Sequence, residues 1–166
     1  GNMAGFTASC FHILAHAATK TLLFVSVGSL IETNGGKTGI RDLQGAGRLN
    51  PFAGVAYSVG ALSMVGIPLF AGFASKYYFA LSAAGGKLQL SIVLTALAIS
   101  MILNAIYFIP TVISIWSKPE GEIKPKAEPT FSFKCVCAAF MMINFILGIF
   151  FQPIVAVIEQ GLRLLG

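Results

Sequence analysis

The amino-acid sequence predicts an all-α protein, a polytopic bundle of helices that cross a membrane. Of its 166 residues, 56% are hydrophobic and only 10% are charged, whereas soluble domains carry about 25% charged residues. The mean hydropathy is +0.83. Apolar stretches recur that are longer than the roughly 20 residues a helix needs to cross a bilayer. These observations indicate an integral membrane protein before any motif is considered.

Four apolar segments predict four helices within one transmembrane domain over 1–166, at about 3–31, 52–84, 88–116 and 131–162. The second segment is too long for a straight helix, because its length would rise roughly 50 Å against a hydrocarbon core of ~30 Å. Gly66-Ile67-Pro68 stands at its middle, and proline removes a backbone donor and restricts the residue before it. Taken alone, the run favours a plain proline kink, which is common in membrane helices, over a helix broken near 66–68.

The net charge of +5 belongs mainly to the connections between the apolar segments, so we do not expect nucleic-acid binding. The first and third connections, with the start of the fourth helix, hold seven basic residues: Lys37, Arg41, Arg48, Lys118, Lys124, Lys126 and Lys134. Only Lys87, in the second connection, and Arg163, near the C-terminus, fall on the other side of the membrane. The positive-inside rule then places loops 32–51 and 117–130 in the cytoplasm, and we expect the membrane to be a bacterial or archaeal plasma membrane.

The first segment carries three ionisable residues, His12, His16 and Lys20, spaced four apart. This spacing places side chains on one stripe of an α-helix, and a polar stripe on an apolar helix fits a hydrated passage or a protein interior. Histidine exchanges protons near neutral pH, and a lysine in a low-dielectric site can carry a proton reversibly. The stripe favours an ion pathway. A metal or haem site at His12 and His16 is the alternative, although the glutamate of a zincin motif is absent.

Lys76 is a further candidate, in the part of the second segment that follows Pro68. Its structural alternative is a side chain that snorkels toward the outer interface. All six acidic residues lie in loops or near segment ends, so carboxylate partners of the buried lysines would belong to helices outside this chain. The cysteines Cys10, Cys135 and Cys137 lack the further ligands of a zinc site. We expect no catalytic residue, metal site or cofactor in this chain.

Three motifs in a fixed order connect the sequence to a known family. They are His12-Ile-Leu-Ala-His16-Ala-Ala-Thr-Lys20-Thr-Leu-Leu-Phe24, Gly66-Ile67-Pro68 and Ala71-Gly72-Phe73-Ala74-Ser75-Lys76. They resemble the antiporter-like, proton-translocating subunits of complex I (the NuoL, NuoM and NuoN type) and of the Mrp Na⁺/H⁺ antiporters (the MrpA and MrpD type). The resemblance covers about residues 8–80. A lysine at position 76 is a better match to the NuoL, MrpA and MrpD type than to the NuoM type, which has glutamate there.

The resemblance implies a C-terminal fragment, the last four of about fourteen helices in a subunit built from two inverted repeats, each with a broken helix. It implies that His12, His16, Lys20 and Lys76 are links in a buried proton pathway, with Lys76 nearest the outer exit and the break at Gly66 and Pro68. The implied partners are other membrane subunits, the remaining helices of the parent chain, protons and, in an Mrp-type antiporter, sodium. In a NADH-quinone oxidoreductase the driving redox chemistry would lie outside this chain. A structural module, whose polar groups only join helices, remains the other alternative.

Overall fold

The computed structural model describes residues 3–118 and 129–165, and over these ranges it contains seven helices and no strands. The helices are α1 (Met3–Thr33), α2 (Ala46–Leu49), α3 (Pro51–Val65), α4 (Ala71–Ser82), α5 (Lys87–Trp116), α6 (Phe131–Ile149) and α7 (Phe151–Leu165). Among the described helices, α1, α5 and α6 are long and apolar enough to cross a membrane, and α3 is a shorter apolar helix. The predicted class, an all-α bundle of membrane helices, is confirmed.

Helix α1 is the centre of the bundle and packs against α3, α4, α6 and α7. Two apolar clusters hold these helices together. One joins α1 to α3 and α5 through side chains such as Leu30, Tyr57 and Ile115. The other joins α1 to α4, α6 and α7 through Phe11 and Val155, among others. Among helices in a membrane, van der Waals packing of such side chains favours the compact arrangement, because the surrounding lipid is as apolar as the core.

The second predicted segment is two helices, α3 and α4, separated by a break at 66–70. Gly66 ends α3 with φ 97°, and Leu69 has φ 84°. Between them, Pro68 has no N–H to continue the helical bonding. Such a positive φ costs a leucine roughly 1–2 kcal/mol, so packing around the break must hold it in place.

Gly148 of α6 supplies that packing. A Cβ atom on Gly148 would overlap the carbonyl oxygen of Leu69 and would lie 2.6 Å from the carbonyl carbon of Phe70. Only a glycine lets α6 approach the backbone of the break so closely. Helix α6 therefore presses directly on the interrupted segment.

The fourth predicted helix, 131–162, differs from the structure, which has two helices there. Helix α6 ends at Ile149, Phe150 adopts a non-helical conformation, and α7 begins at Phe151. Pro153 is the third residue of α7, within the first turn, where its missing N–H costs no helical hydrogen bond. Hydropathy could not reveal this interruption, because apolar residues continue through it.

The first connection is held against the end of α5. The Gly45 N–H donates to the Ser114 carbonyl (3.1 Å), Arg48 Nε donates to the Trp116 carbonyl (2.6 Å), and Gln44 Nε2 donates to the Lys118 carbonyl (2.8 Å). Arg48 satisfies the Trp116 carbonyl, which the end of α5 leaves without a helical partner, whereas the Ser114 carbonyl also accepts from the Ser117 N–H. The first and third connections thus meet at one end of the bundle.

We expect the substitution Gly148→Ala to destabilise the subunit by about 1–3 kcal/mol, the usual cost of overpacking, because the added methyl group meets the backbone of the break. The measurement is the temperature at which half of the subunit is lost from the detergent-solubilised complex. Gly161→Ala is the matched control, since a Cβ there meets no atom within 4 Å. Equal midpoints for the two variants would show that the close approach of α6 is unimportant.

Candidate functional site

The two histidines of the stripe lie on successive turns of α1, with ring centroids 5.6 Å apart. His12 is half-buried, and His16 is exposed within this chain. His12 also faces the half-helix α4: its Nδ1 lies 2.6 Å from Oγ of Ser75, and its ring meets the edge of Phe79 at a centroid distance of 5.5 Å. This contact with Ser75, which is fully buried, fixes the position of the His12 ring against α4.

Lys76 lies on α4 and reaches back across the break to the end of α3. Its Nζ donates to the carbonyl of Met64 at 2.8 Å and to the carbonyl of Val65 at 3.2 Å. The last carbonyls of a helix have no partner within the helix, and the helix dipole places partial negative charge there. The ammonium group therefore caps the C-terminus of α3 and is itself stabilised by it.

Gly66 makes room for this ammonium group. A Cβ at Gly66 would lie 2.9 Å from Nζ and 3.1 Å from Cδ of Lys76, and its φ of 97° is one that L side chains rarely adopt. The helix break and the lysine are thus parts of one arrangement, because the residue that ends α3 also leaves space for the charge.

A cavity of about 180 Å³ connects these groups. In liquid water one molecule occupies about 30 Å³, so the cavity has room for several. Helices α1, α3, α4 and α5 all contribute to its walls, which are lined by His12, Ala15, His16, Thr19, Ser63, Met64, Gly72, Lys76, Ser100 and Asn104. Hydroxyl, amide, imidazole and ammonium groups on these walls can donate and accept hydrogen bonds, which suits a hydrated passage for protons.

Lys20 is separate from this cavity. It is half-buried, and its Nζ lies 5.9 Å from the ring centroid of Phe24, a distance suited to a cation–π contact. Of the predicted site residues, the structure brings His12, His16 and Lys76 around one cavity and leaves Lys20 outside its walls. The three residues still lie on one stripe of the continuous helix α1, but only His12 and His16 line the cavity.

Sequence reasoning overlooked several polar side chains of the site. The hydroxyl groups of Thr19, Ser63 and Ser75 are buried and bonded. Asn144 makes an interhelical hydrogen bond with Thr19 at 2.8 Å. Asn104 bonds within its own helix to the Ser100 carbonyl (2.7 Å) and lines the cavity. Serine and threonine are ordinary residues in membrane helices, so nothing in the sequence singled them out.

The alternative of a metal or haem site rests on the two histidines alone. Within the described ranges, no group of three or more His, Cys, Asp and Glu side chains lies close enough to hold a metal ion. Metal sites in proteins usually take at least three protein ligands. Within the described ranges, His12 and His16 therefore provide fewer ligands than a metal ion usually takes.

We expect Gly66→Ala to destabilise the subunit by about 1–2 kcal/mol from the left-handed conformation alone, with a further cost because the methyl group displaces the Lys76 ammonium. Heat-induced loss of the subunit from the solubilised complex measures the change. Gly28→Ala is the control, because a Cβ at Gly28 meets nothing within 4 Å. If Gly66→Ala is as stable as Gly28→Ala, the close fit between the glycine and the lysine is not required.

A family model and several relatives among known proteins match this chain, and their descriptions agree with one another. A family model described as "NADH:quinone oxidoreductase/Mrp antiporter, TM" matches residues 1–107. The chain is 30% identical to NADH-quinone oxidoreductase subunit N of Mycobacterium bovis, over 99% of this chain and 32% of that protein. It is 31% identical to subunit N of Geobacter metallireducens, over 90% of this chain and 32% of that protein. It is also 36% identical to NADH-ubiquinone oxidoreductase chain 5 of Marchantia polymorpha, over 45% of this chain and 11% of that protein.

The chain spans about a third of the length of the subunit N relatives. The span matched by the family contains every predicted site residue, from His12 to Lys76. The helical bundle, the helix break and these matches agree, and the chain belongs to the NADH:quinone oxidoreductase/Mrp antiporter family of membrane proteins.

Proposed function

We propose that this chain is part of a proton-translocating subunit in a complex I-like NADH:quinone oxidoreductase. The observation that carries the proposal is the Lys76 ammonium, which caps the broken helix α3 at Met64 and Val65 and lines one cavity with His12 and His16. The names of the bacterial relatives, subunit N of NADH-quinone oxidoreductase, favour this assembly over an Mrp-type antiporter that exchanges protons against sodium.

In the proposed path, the Lys76 ammonium gives a proton to a water in the cavity or to a neighbouring imidazole and is later protonated again. Each imidazole has two ring nitrogens, so it can accept a proton at one while it donates at the other. The α3 carbonyls stabilise the charged state of Lys76. A positive charge arriving nearby would destabilise that state. Because Coulomb forces are strong in a low dielectric, charge changes in neighbouring subunits could drive the exchange.

Lys20 is proposed as the next link along α1. Lys20 lies one helical turn beyond His16. Its side chain is half-buried, and its Nζ lies 5.9 Å from the centroid of the Phe24 ring. Since Lys20 lies outside the cavity walls, a proton passing between Lys20 and His16 would move along the surface of α1. Helices from the rest of the parent subunit would cover this surface.

The proposed setting is a bacterial or archaeal plasma membrane, with the remaining helices of the parent chain and other membrane subunits as partners. Large apolar side chains such as Leu88 and Ile106 on α5 are 75% and 67% exposed, which suits contact with lipid or with such partners. We place loops 32–51 and 117–130 in the cytoplasm by the positive-inside rule. The hydrogen bond from Gln44 to Lys118 supports a location of both loops on the same side of the membrane. Residues 119–128 of loop 117–130 lie outside the described ranges.

The test is proton uptake into inverted vesicles that carry the complete complex, driven by NADH, at matched subunit levels. We expect Lys76→Ala and Lys20→Ala to remove this subunit's share of the protons moved per NADH oxidised, because proton transfer slows by about 10²-fold or more when a positioned acid–base group is lost. Lys37→Ala, at an exposed lysine of the first connection, is the control and should behave as wild type. If the Lys76→Ala and Lys20→Ala variants assemble and pump at the wild-type ratio, the proposed path is wrong.

A further inference from the structure

Two buried hydroxyl groups in the cavity wall form a chain of hydrogen bonds through which the proposed exchange between Lys76 and the histidines does not pass. Thr19 is 2% exposed and Ser63 is fully buried. Their hydroxyl oxygens are 3.1 Å apart. Ser63 Oγ also accepts from the Gly72 N–H at 3.1 Å, and Thr19 Oγ1 donates to Oδ1 of Asn144 at 2.8 Å. The chain thus joins four helices, α4, α3, α1 and α6, in that order.

The direction of this chain follows from its two ends. The Gly72 N–H can only donate, so Ser63 must accept there. At the other end, Asn144 Nδ2 donates to the Phe140 carbonyl at 3.1 Å, which leaves Oδ1 as an acceptor. The one hydroxyl proton of Thr19 is shared between this Oδ1 and the Ala15 carbonyl, each 2.8 Å from Oγ1. Ser63 then donates to Thr19. Hydrogen bonds aligned in one direction strengthen one another in a low-dielectric interior, so the loss of one hydroxyl affects the whole chain.

The chain controls the start of the helix that carries Lys76. Gly72 is the second residue of α4, and Lys76 lies one turn later on the same face. A side chain of α3, Ser63, therefore holds the beginning of α4, while a side chain of α4, Lys76, holds the end of α3 at Met64 and Val65. The two half-helices cap each other across the break, which satisfies backbone groups that a membrane interior would leave unpaired.

We propose that Thr19 and Ser63 are positioning residues that set the location of the Lys76 ammonium relative to His12 and His16. This inference rests on the proposed function, since it assigns the two hydroxyl groups a role in that same site. Neither hydroxyl carries the transferred proton. They hold the first turn of α4, and through it Lys76, against α1 and α6.

The chain offers a matched pair of substitutions on α1. The hydroxyl oxygens of Thr19 and Thr21 both lie within hydrogen-bonding distance of the carbonyl four residues earlier, at 2.8 and 2.9 Å. Thr19 alone of the two shares its proton with Asn144 and also bonds Ser63. Thr19→Val removes the buried hydroxyl with little change of shape, and Thr21→Val does the same at an exposed site. Thr19→Ser keeps the hydroxyl group, and Ser63→Ala breaks the chain from α3.

Two measurements on the assembled complex test the proposal. Hydrogen–deuterium exchange of the segment 66–76 should become roughly fivefold faster in Thr19→Val and Ser63→Ala, the change expected for one lost buried hydrogen bond. The protons moved per NADH oxidised should fall in the same two variants while NADH oxidation continues. Thr19→Ser should restore both values, and Thr21→Val should match wild type.

Unchanged exchange in both Thr19→Val and Ser63→Ala would overturn the proposal, whatever the protein's function. Faster exchange with an unchanged proton ratio, when Lys76→Ala lowers that ratio, would also overturn it, because α4 would move without consequence for Lys76. An unchanged ratio in Lys76→Ala itself would instead remove the proposed function and, with it, the role of the hydroxyl chain in proton transfer. Faster exchange together with a lowered ratio, restored by Thr19→Ser, supports the proposal.

Discussion

The hydrogen bonds from the Lys76 ammonium to the last carbonyls of α3 are the interaction on which the rest of the site depends. A lysine charge within a membrane is costly, and so is a helix end whose carbonyls have no partner. Each of these two groups compensates the other, because Nζ lies 2.8 Å from the Met64 carbonyl and 3.2 Å from the Val65 carbonyl. The broken helix and the buried charge therefore require each other.

Several otherwise unfavourable features of the backbone follow from this arrangement. Gly66 must adopt a left-handed conformation to end α3 and to leave space for the ammonium group. Leu69 is held at φ 84°, where α6 presses on it through Gly148. Strained residues of this kind persist where the surrounding structure over-determines them, and they concentrate at functional sites. Here the packing of α6 and the buried hydroxyl chain supply that constraint.

Helix α1 serves as the platform for these elements. Its apolar side chains pack into both clusters of the core, while the His12 ring faces Ser75 and Phe79 on the half-helix that carries Lys76. Helix α7 covers the seam between α1 and α4: Phe151 meets Tyr78 with ring centroids 6.0 Å apart. Glu159 and Arg163 of α7 form an ion pair in which Nη2 lies 3.8 Å from Oε1.

The sequence by itself determined the membrane class, the all-helical fold and an irregularity in the second helix, and the resemblance of its motifs to a known family implied that this helix is broken. Composition, segment length and the Gly66-Ile67-Pro68 run express local physics: apolar residues prefer lipid, and proline cannot donate a backbone hydrogen bond. The sequence also indicated which ionisable residues are unusual, because a histidine or lysine inside an apolar segment stands out against its neighbours.

Only the tertiary structure decided which of these residues meet. Four-residue spacing placed Lys20 on the same stripe as His12 and His16, but which side chains surround a cavity depends on the neighbouring helices, and these bring Lys76 to the histidines instead. The interruption at Phe150 and the contacts among Thr19, Ser63 and Asn144 were likewise invisible in the sequence. They arise between segments that are far apart along the chain, and helical periodicity reports only on residues within one helix.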